Sequence, residues 1–366
     1  MKTTCRAMVL TAPEKLEMKT FSIPDIGDED GLLELELVGV CGSDPGIFKG
    51  IPTHGPRPFP LIMGHEIVGR VAKMGLSAQK RFGVKEGDRV VVEYAIGCGT
   101  CSACLSGLYT MCENKFYYGS MISCKAPPHL FGAYGEYLYI HPMAKVHKIG
   151  DEISPEVGVM ISAVIANGIR WLRQIGDLSI GQTVVILGPG PQGMAGAAAA
   201  KECGAGPIFM IGLERDRDRL LMAKRFGATT VINADREDPL TIIKDATGGK
   251  MAHVTMDVTG HPVGAEMALS LTGRRGTVVL PGIYKRKKAS LDLDHAVLNE
   301  IRLLGAYSQD FKAVIPAIKV AREGRYPWAD LITHRLPLSE AERAVRLVGG
   351  ESKGEIPGKV VLDPKL

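Results

Sequence analysis

Residues 182–204 read QTVVILGPGPQGMAGAAAAKECG, and this stretch decides the fold of the middle of the chain. The run Gln182–Leu187 is short and β-branched, which is typical of a buried strand in a parallel sheet. It leads directly into the G-x-G-x-x-G pattern of Gly188 to Gly193, followed by an alanine-rich segment that ends at Gly204. Alanine favours a helix and glycine commonly ends one. The stretch therefore predicts a strand, a glycine-rich turn and a helix.

This order of elements indicates a dinucleotide-binding Rossmann unit, because the glycines allow close backbone approach and the helix N-terminus receives the pyrophosphate. The alternative is a glycine-rich turn in an unrelated α/β domain. Strands predicted at 208–211, 230–233, 254–258 and 276–282 alternate with helical stretches such as 262–271, which favours a doubly wound parallel sheet. The predicted cofactor contacts in the turn are Gly188, Gly190, Pro191, Gln192 and Gly193.

The choice between NAD and NADP depends on the end of the second strand, where NAD-binding units normally carry an acidic residue for the ribose 2′-hydroxyl. If Gly212 occupies that position, Arg215 or Arg217 meets a 2′-phosphate and NADP is favoured. If the strand runs two residues further, Glu214 takes the acidic role and NAD is favoured. Residues two apart share one strand face, so periodicity does not decide. The arginines favour NADP slightly.

Length, charge and hydropathy limit the number of domains, the kinds of partner and the location that we expect for this chain. A chain of 366 residues is expected to hold about two domains. A net charge of +4 without a long basic run gives no reason to expect nucleic acid or a membrane surface as a partner. The longest uncharged stretch, 178–200, is interrupted by glycine and proline, and the first residues lack a signal-peptide pattern. We expect a cytoplasmic protein.

Four of the eight cysteines lie within fifteen residues, at Cys98, Cys101, Cys104 and Cys112. Two-residue gaps let neighbouring thiolates turn onto one ion, and a fourth thiolate closes a tetrahedral site. Disulfides are less favoured in a chain without an export signal. We predict a structural zinc, which has no open position for a substrate and stabilises a loop.

A second metal site is indicated around Cys41. The alternating run 33–38 predicts a strand with one apolar face, and Cys41 lies just beyond its end. His65 and Glu66 follow some twenty residues later. Cysteine, histidine and carboxylate form the ligand set of a catalytic zinc with water in an open position. Taken separately, His65 and Glu66 would more readily be a core histidine and a solvated glutamate, but their combination with Cys41 favours the metal.

Together these motifs resemble the zinc-dependent medium-chain dehydrogenase/reductase superfamily, which includes alcohol, sorbitol, glucose and threonine dehydrogenases. The shared order is Cys-x-Ser-Asp, Gly-His-Glu, four cysteines and G-x-G-x-x-G, over essentially the whole chain. The resemblance implies an α/β fold: a β-rich GroES-like catalytic domain (1–154, with 296–366 returning to it) and a Rossmann domain (155–295). It implies a homodimer or homotetramer. It also implies an oxidoreductase that uses NAD or NADP to interconvert an alcohol or polyol, as the small-molecule partner, and its aldehyde or ketone.

The resemblance also assigns catalytic roles. Cys41 and His65 match ligands of the catalytic zinc. Glu66 matches a glutamate that is a ligand in the polyol-type members and lies outside the coordination sphere in others. Ser43 matches the hydroxyl that takes the substrate proton.

Three further positions follow from the resemblance. Tyr94 matches a residue that lines the substrate pocket, and Lys359 resembles a basic residue near the cofactor phosphates. The histidine that often continues the proton relay is replaced by Gly46, so His54, the ribose or water must serve, and His54 is a second candidate for the pocket.

One departure concerns the extra zinc ligand that the family usually supplies before the Rossmann domain. Ser162, or Ala163 in a shifted alignment, occupies that position here. Cys41, His65 and Glu66 plus water would still complete a site. Two alternatives follow: a reductase that runs the same site in reverse, and a zinc-depleted nucleotide-binding or sensory protein.

Overall fold

The structure, a computed structural model, describes residues 2–52, 55–352 and 354–366. Its strands are β1 (Thr4–Ala12), β2 (Lys15–Ser22), β3 (Gly31–Val40), β4 (Leu61–Ile62), β5 (Glu66–Met74), β6 (Arg89–Val92), β7 (Ala95–Ile96), β8 (Phe116–Tyr117), β9 (Tyr137–Ile140), β10 (Val146–Lys148), β11 (Val184–Leu187), β12 (Ile208–Gly212), β13 (Thr230–Asn233), β14 (Ala252–Asp257), β15 (Thr272–Leu280), β16 (Arg302–Gly305), β17 (Ile332–Pro337) and β18 (Lys359–Asp363).

Its α-helices are α1 (Asp44–Phe48), α2 (Leu76–Phe82), α3 (Ser102–Leu105), α4 (Pro155–Met160), α5 (Ala166–Ile169), α6 (Pro191–Glu202), α7 (Arg217–Arg225), α8 (Pro239–Ala246), α9 (Pro262–Ser270), α10 (Leu293–Leu298), α11 (Phe311–Arg322) and α12 (Ala341–Val348). Short 3-10 turns occur at Tyr109–Met111, Glu214–Asp216, Trp328–Leu331 and Leu338–Glu340, and π-helical turns at Ile161–Ile165 and Arg170–Ile175. None of the helices in the described ranges is long and apolar enough to cross a membrane.

The chain divides into two compact units. One comprises the chain up to Ala163 together with Trp328–Leu366, and the other comprises Val164–Pro327. The second unit therefore begins later than the predicted residue 155 and ends later than the predicted residue 295. The later end has a physical reason, because β16 hydrogen-bonds to β15 at the edge of a parallel sheet. The sequence prediction did not include this strand.

The second unit is built on a six-stranded parallel sheet with the order β13-β12-β11-β14-β15-β16. This is the order 3-2-1-4-5-6 of a doubly wound dinucleotide-binding sheet. All four residues of β11 are buried, and α6 begins with Pro191, at a helix position where the missing N–H has no consequence. Small residues on α6, from Ala195 to Ala200, are buried. The predicted doubly wound sheet is confirmed.

The first unit is rich in antiparallel strands. Its largest sheet has the order β10-β6-β5-β3-β18-β17, with β9 also paired to β3. In β3, Leu33, Leu35 and Leu37 are fully buried, whereas the glutamates between them are partly exposed. The predicted alternating strand is thus present, and it is central to this sheet. The last strand, β18, pairs antiparallel with the end of β3, where Val360 lies opposite Val40.

Candidate active site

Cys41 and Ser43 lie in a tight turn at the end of β3. Ser43 is the N-cap of α1, and the Asp44 N–H donates to the Cys41 carbonyl at 3.0 Å. The fully buried Asp44 carboxylate accepts, on Oδ2, the Cys41 N–H and the Tyr134 hydroxyl, each at 2.9 Å. Burial, together with the nearby Asp44 charge, holds the pKa of Tyr134 well above its usual range, so the phenol stays protonated and donates. These hydrogen bonds fix the turn.

His65 lies immediately before β5 and contacts this turn with both ring nitrogens. Its Nδ1 is 3.3 Å from Asp44 Oδ1, and its Nε2 is 3.4 Å from Ser43 Oγ. Burial disfavours the protonated ring, but the charges of Asp44 and Cys41 outweigh burial and hold the pKa of His65 well above its usual range. The groups that stabilise a positive charge on this ring also favour a metal ion at Nε2, since a carboxylate on Nδ1 orients a ligating histidine.

Tyr94 forms an aromatic wall beside His65. Its ring meets the imidazole edge-on with the centroids 5.3 Å apart, and it meets the ring of Tyr117 edge-on at 4.9 Å. Tyr117 in turn donates its hydroxyl to the Thr110 carbonyl at 2.9 Å. The predicted pocket residue therefore lies against the predicted metal ligand.

Glu66 begins β5 and is fully buried. Its strand pairs with β3 so that Gly39 lies opposite Glu66, and a Cβ at Gly39 would collide with the Glu66 carboxylate. The carboxylate forms an ion pair with the Lys359 ammonium, which also donates to the Val40 carbonyl at 3.1 Å. Both charges are buried. Oε1 of Glu66 has no hydrogen-bond partner among the described residues, so a carboxylate oxygen is available to a cation.

The four clustered cysteines converge at one point. Their ligand atoms all lie within 4.8 Å of one another, whereas sulfurs around a tetrahedral zinc are about 3.8 Å apart if each bond is about 2.3 Å. The Cys98 N–H also donates to the Cys112 sulfur at 3.3 Å. Hydrogen bonds, chiefly from the backbone of Thr100, lower the pKa of Cys98 to about 6. These side chains fit a closed metal site.

The glycine-rich turn fits a bound pyrophosphate. Gly188 has φ of +102°, which favours glycine, and a Cβ at Gly193 would collide with the Gly188 carbonyl. At Gly190, the N-cap of α6, a Cβ would meet no atom within 4 Å, so the backbone is open to a ligand. The helix N-terminus offers free N–H groups at the same place.

Comparison with known proteins agrees with this geometry. The family described as "alcohol dehydrogenase GroES-like domain" matches residues 27–151, and "zinc-binding dehydrogenase" matches residues 191–322. A probable alcohol dehydrogenase from Mycobacterium tuberculosis is 37% identical over 98% of each chain. The chain belongs to the zinc-dependent medium-chain dehydrogenase/reductase superfamily. The predicted family, its fold class and its oxidoreductase nature are thereby confirmed.

Further relatives of this superfamily cover nearly the whole chain. An erythritol/L-threitol dehydrogenase from Mycolicibacterium smegmatis is 30% identical, covering 98% of this chain and 97% of that one. The crystal structure of an alcohol dehydrogenase from Thermotoga maritima superposes with a TM-score of 0.90 at 28% identity, covering 99% of this chain and 100% of that one.

Ser162, at the position where the superfamily usually has an extra ligand, is buried in the π-helical turn Ile161–Ile165. Glu156, the nearest carboxylate in sequence, is held by Arg335 at 3.0 Å. It is thus already ion-paired. Zinc coordination by Cys41, His65 and Glu66 stays a prediction.

The structure also places the other predicted residues. Lys359 lies on Glu66, and its role near cofactor phosphates stays a prediction. His54 lies outside the described residues. β12 ends at Gly212, and Glu214 follows in a 3-10 turn, where its carboxylate contacts Asn233 and is bound by Arg236 at 2.8 Å. Arg215 is exposed.

Tyr134 and Glu93 were not anticipated from the sequence. Tyr134 is ninety residues from Asp44, and no spacing rule links the two. Glu93 is fully buried and hydrogen-bonded to Tyr109 and His147. Its only sequence signal is a charge directly after the apolar run of β6.

Proposed function

We propose that the protein is a zinc-dependent, NAD(P)-linked oxidoreductase that interconverts a primary or secondary alcohol, or a polyol, and the corresponding aldehyde or ketone. The observation that carries the proposal is the arrangement of His65 between Asp44 on Nδ1 and Ser43 on Nε2, in a turn shared with Cys41. A carboxylate on Nδ1 orients the ring as it does in metal-ligating histidines.

Cys41, His65 and Glu66 would hold the catalytic zinc, which would supply a Lewis acid that lowers the pKa of the substrate hydroxyl, and the bound cofactor would supply the hydride acceptor. Ser43 Oγ accepts the proton of the substrate hydroxyl and passes its own hydroxyl proton on to His54, the cofactor ribose or water. Asp44 holds the imidazole through Nδ1, so that the ring keeps one orientation while charge develops nearby. Tyr94 walls one side of the substrate position and excludes water from it.

The cofactor is bound at the turn of Gly188, Gly190 and Gly193, with Pro191 and Gln192 in the first turn of α6. Two features bear on NAD or NADP. The end of β12 at Gly212 leaves Arg215 exposed for a 2′-phosphate, whereas Glu214 brings a carboxylate to the same segment. Because Arg236 forms an ion pair with Glu214 and offsets part of its charge, the slight preference for NADP is kept as part of the proposal.

We further propose a homodimer or homotetramer. Leu293, Val297 and Leu298 on α10 are between 66% and 81% exposed, which is unusual for neighbouring large apolar side chains. Light scattering tests this assembly, and a monomer at micromolar concentration would contradict it. Location in the cytoplasm stays a prediction.

The experiment that tests the function is a turnover screen. Zinc-loaded protein is offered alcohols, polyols and hydroxy acids, each with NAD and with NADP, together with carbonyl compounds and the reduced cofactors. We expect turnover that Cys41→Ala abolishes while cofactor binding is retained. Cys203→Ala, in the other unit, is the matched control and should keep full activity. Turnover that survives Cys41→Ala would refute the assignment. Cofactor binding without turnover of any compound would favour a sensory protein.

A further inference from the structure

A second buried polar cluster lies apart from the predicted catalytic residues. The Glu93 cluster consists of Glu93, Tyr109 and His147, which are 0%, 5% and 5% exposed in turn. The Tyr109 hydroxyl donates to Glu93 Oε2, and His147 Nε2 is 2.7 Å from Glu93 Oε1. A buried carboxylate is stable only when its oxygens are hydrogen-bonded. Each oxygen of Glu93 therefore has a dedicated partner.

The cluster attaches the four-cysteine lobe (residues 97–115) to the large sheet. Glu93 directly follows β6 and His147 lies on the neighbouring strand β10, whereas Tyr109 belongs to the 3-10 turn just before Cys112. The Lys145 ammonium covers the Tyr109 ring at 3.7 Å from its centroid, and the Glu93 N–H donates to the Lys145 carbonyl at 3.0 Å. Tyr109 is thus held at its hydroxyl and on its face.

The same residues adjoin the aromatic wall beside His65. Tyr94 is the next residue after Glu93, and its ring packs on Tyr117. Tyr117 is tied to the lobe through its hydrogen bond to the carbonyl of Thr110, the residue after Tyr109. Ala95 and Tyr117 are also paired across β7 and β8, which enter and leave the lobe. Both rings of the wall are therefore fixed by segments that the Glu93 cluster anchors.

We propose that Tyr109 and Glu93 are positioning residues for the substrate. Through the Glu93 cluster, the four-cysteine lobe holds Tyr94 and Tyr117 in place beside His65, so the structural metal site sets substrate binding as well as local stability. This inference rests on the proposed dehydrogenase function for its kinetic consequence. The geometric consequence, a fixed position of the Tyr94 ring, does not depend on that function.

The test uses substitutions that change only one polar group of the Glu93 cluster at a time. Tyr109→Phe removes only the hydroxyl, and Glu93→Gln keeps the size of the side chain and one of its two acceptor oxygens. The matched control is Tyr326→Phe in the other unit, where a buried tyrosine donates to Glu202 at 2.5 Å. We expect Tyr109→Phe to raise the KM for the alcohol about tenfold with kcat changed less than about twofold, because a displaced wall weakens binding more than chemistry. Glu93→Gln should give a smaller increase, and Tyr326→Phe none.

A readout independent of turnover completes the test. 3-Fluorotyrosine is placed at position 94, and its fluorine NMR shift is followed in each variant at full zinc content. Tyr109→Phe should move and broaden this resonance, whereas Tyr326→Phe should not. An unmoved resonance in Tyr109→Phe and Glu93→Gln, or an equal change in the Tyr326 control, would overturn the proposal. If the wild type turns over no substrate, the dehydrogenase function fails, and the fluorine shift still decides the positioning role.

Discussion

The buried pair between Lys359 and Glu66 gives a quantitative prediction. Replacing Lys359 with Met keeps the length of the side chain but leaves the fully buried Glu66 without its counter-ion. The two side chains are 5% and 0% exposed, so solvent screens the pair little. Breaking a buried pair by removing one partner costs about 3 to 5 kcal/mol. For a unit of this size, the loss corresponds to a decrease in Tm of about 10 °C.

The assay is urea and thermal unfolding of the chelated protein, followed by circular dichroism. Lys359→Met/Glu66→Gln should recover most of the loss, because no buried charge is left unpaired. Arg343→Met is the control in the same unit, since Arg343 pairs with Glu340 at 2.6 Å on the surface and should lose less than about 1 kcal/mol. A loss in Lys359→Met no larger than in this control would refute the reasoning.

The same unfolding experiment is repeated with zinc-loaded protein. If Glu66 is a zinc ligand, the metal replaces part of the missing positive charge, and Lys359→Met should be destabilised less in zinc-loaded than in chelated protein. An equal loss in both states would place Glu66 outside the coordination sphere.

Three further outcomes are expected. Glu214→Gln should raise the ratio of kcat/KM for NADP over that for NAD by about tenfold, because it removes a negative charge from the segment that meets the 2′-phosphate. Steady-state kinetics with both cofactors measures this ratio, and an unchanged ratio would contradict the prediction. Cys101→Ser should lose the metal ion of the lobe, measured by elemental analysis, and should lower Tm, whereas Cys203→Ala should do neither. Asp44→Asn should weaken zinc binding about 10- to 100-fold in a chelator competition, because His65 loses the carboxylate on Nδ1; an unchanged affinity would show that this contact does not orient the ligand.

The predictable part of the fold is the part governed by local pattern. The predicted strand 230–233 and helix 262–271 agree with β13 and α9 within a residue, because a β-branched run and a proline at the helix start are local signals. β16 was missed because Arg302–Gly305 is a partly exposed edge strand without a strong apolar pattern. Its place in the parallel sheet depends on pairing with β15, which is a tertiary interaction.

In the candidate site, too, local sequence pattern predicts some features and tertiary contacts determine the others. The spacing of the four cysteines predicts a shared metal site, and the structure places their sulfurs close together. Cys41 and His65 also meet at one turn. The contacts of Tyr134 with Asp44 and of Lys359 with Glu66 join residues far apart in the chain. Strand pairing brings Lys359 to Glu66, since β18 and β5 both pair with β3, whereas Tyr134 and Asp44 lie outside the strands. The role near the cofactor phosphates that the resemblance implies for Lys359 stays a prediction, and in the structure its ammonium pairs with the buried Glu66 carboxylate.

The central claim is that zinc bound at Cys41 and His65 makes the protein a dehydrogenase. The most direct measurement is the rate of reduced-cofactor formation with the best alcohol from the screen, as zinc is titrated into chelated protein. We predict no turnover until zinc is added, a rise that saturates when both metal sites are filled, and a rate at least about 100-fold lower throughout for Ser43→Ala. Turnover that is independent of added zinc and equal in Ser43→Ala would contradict the account.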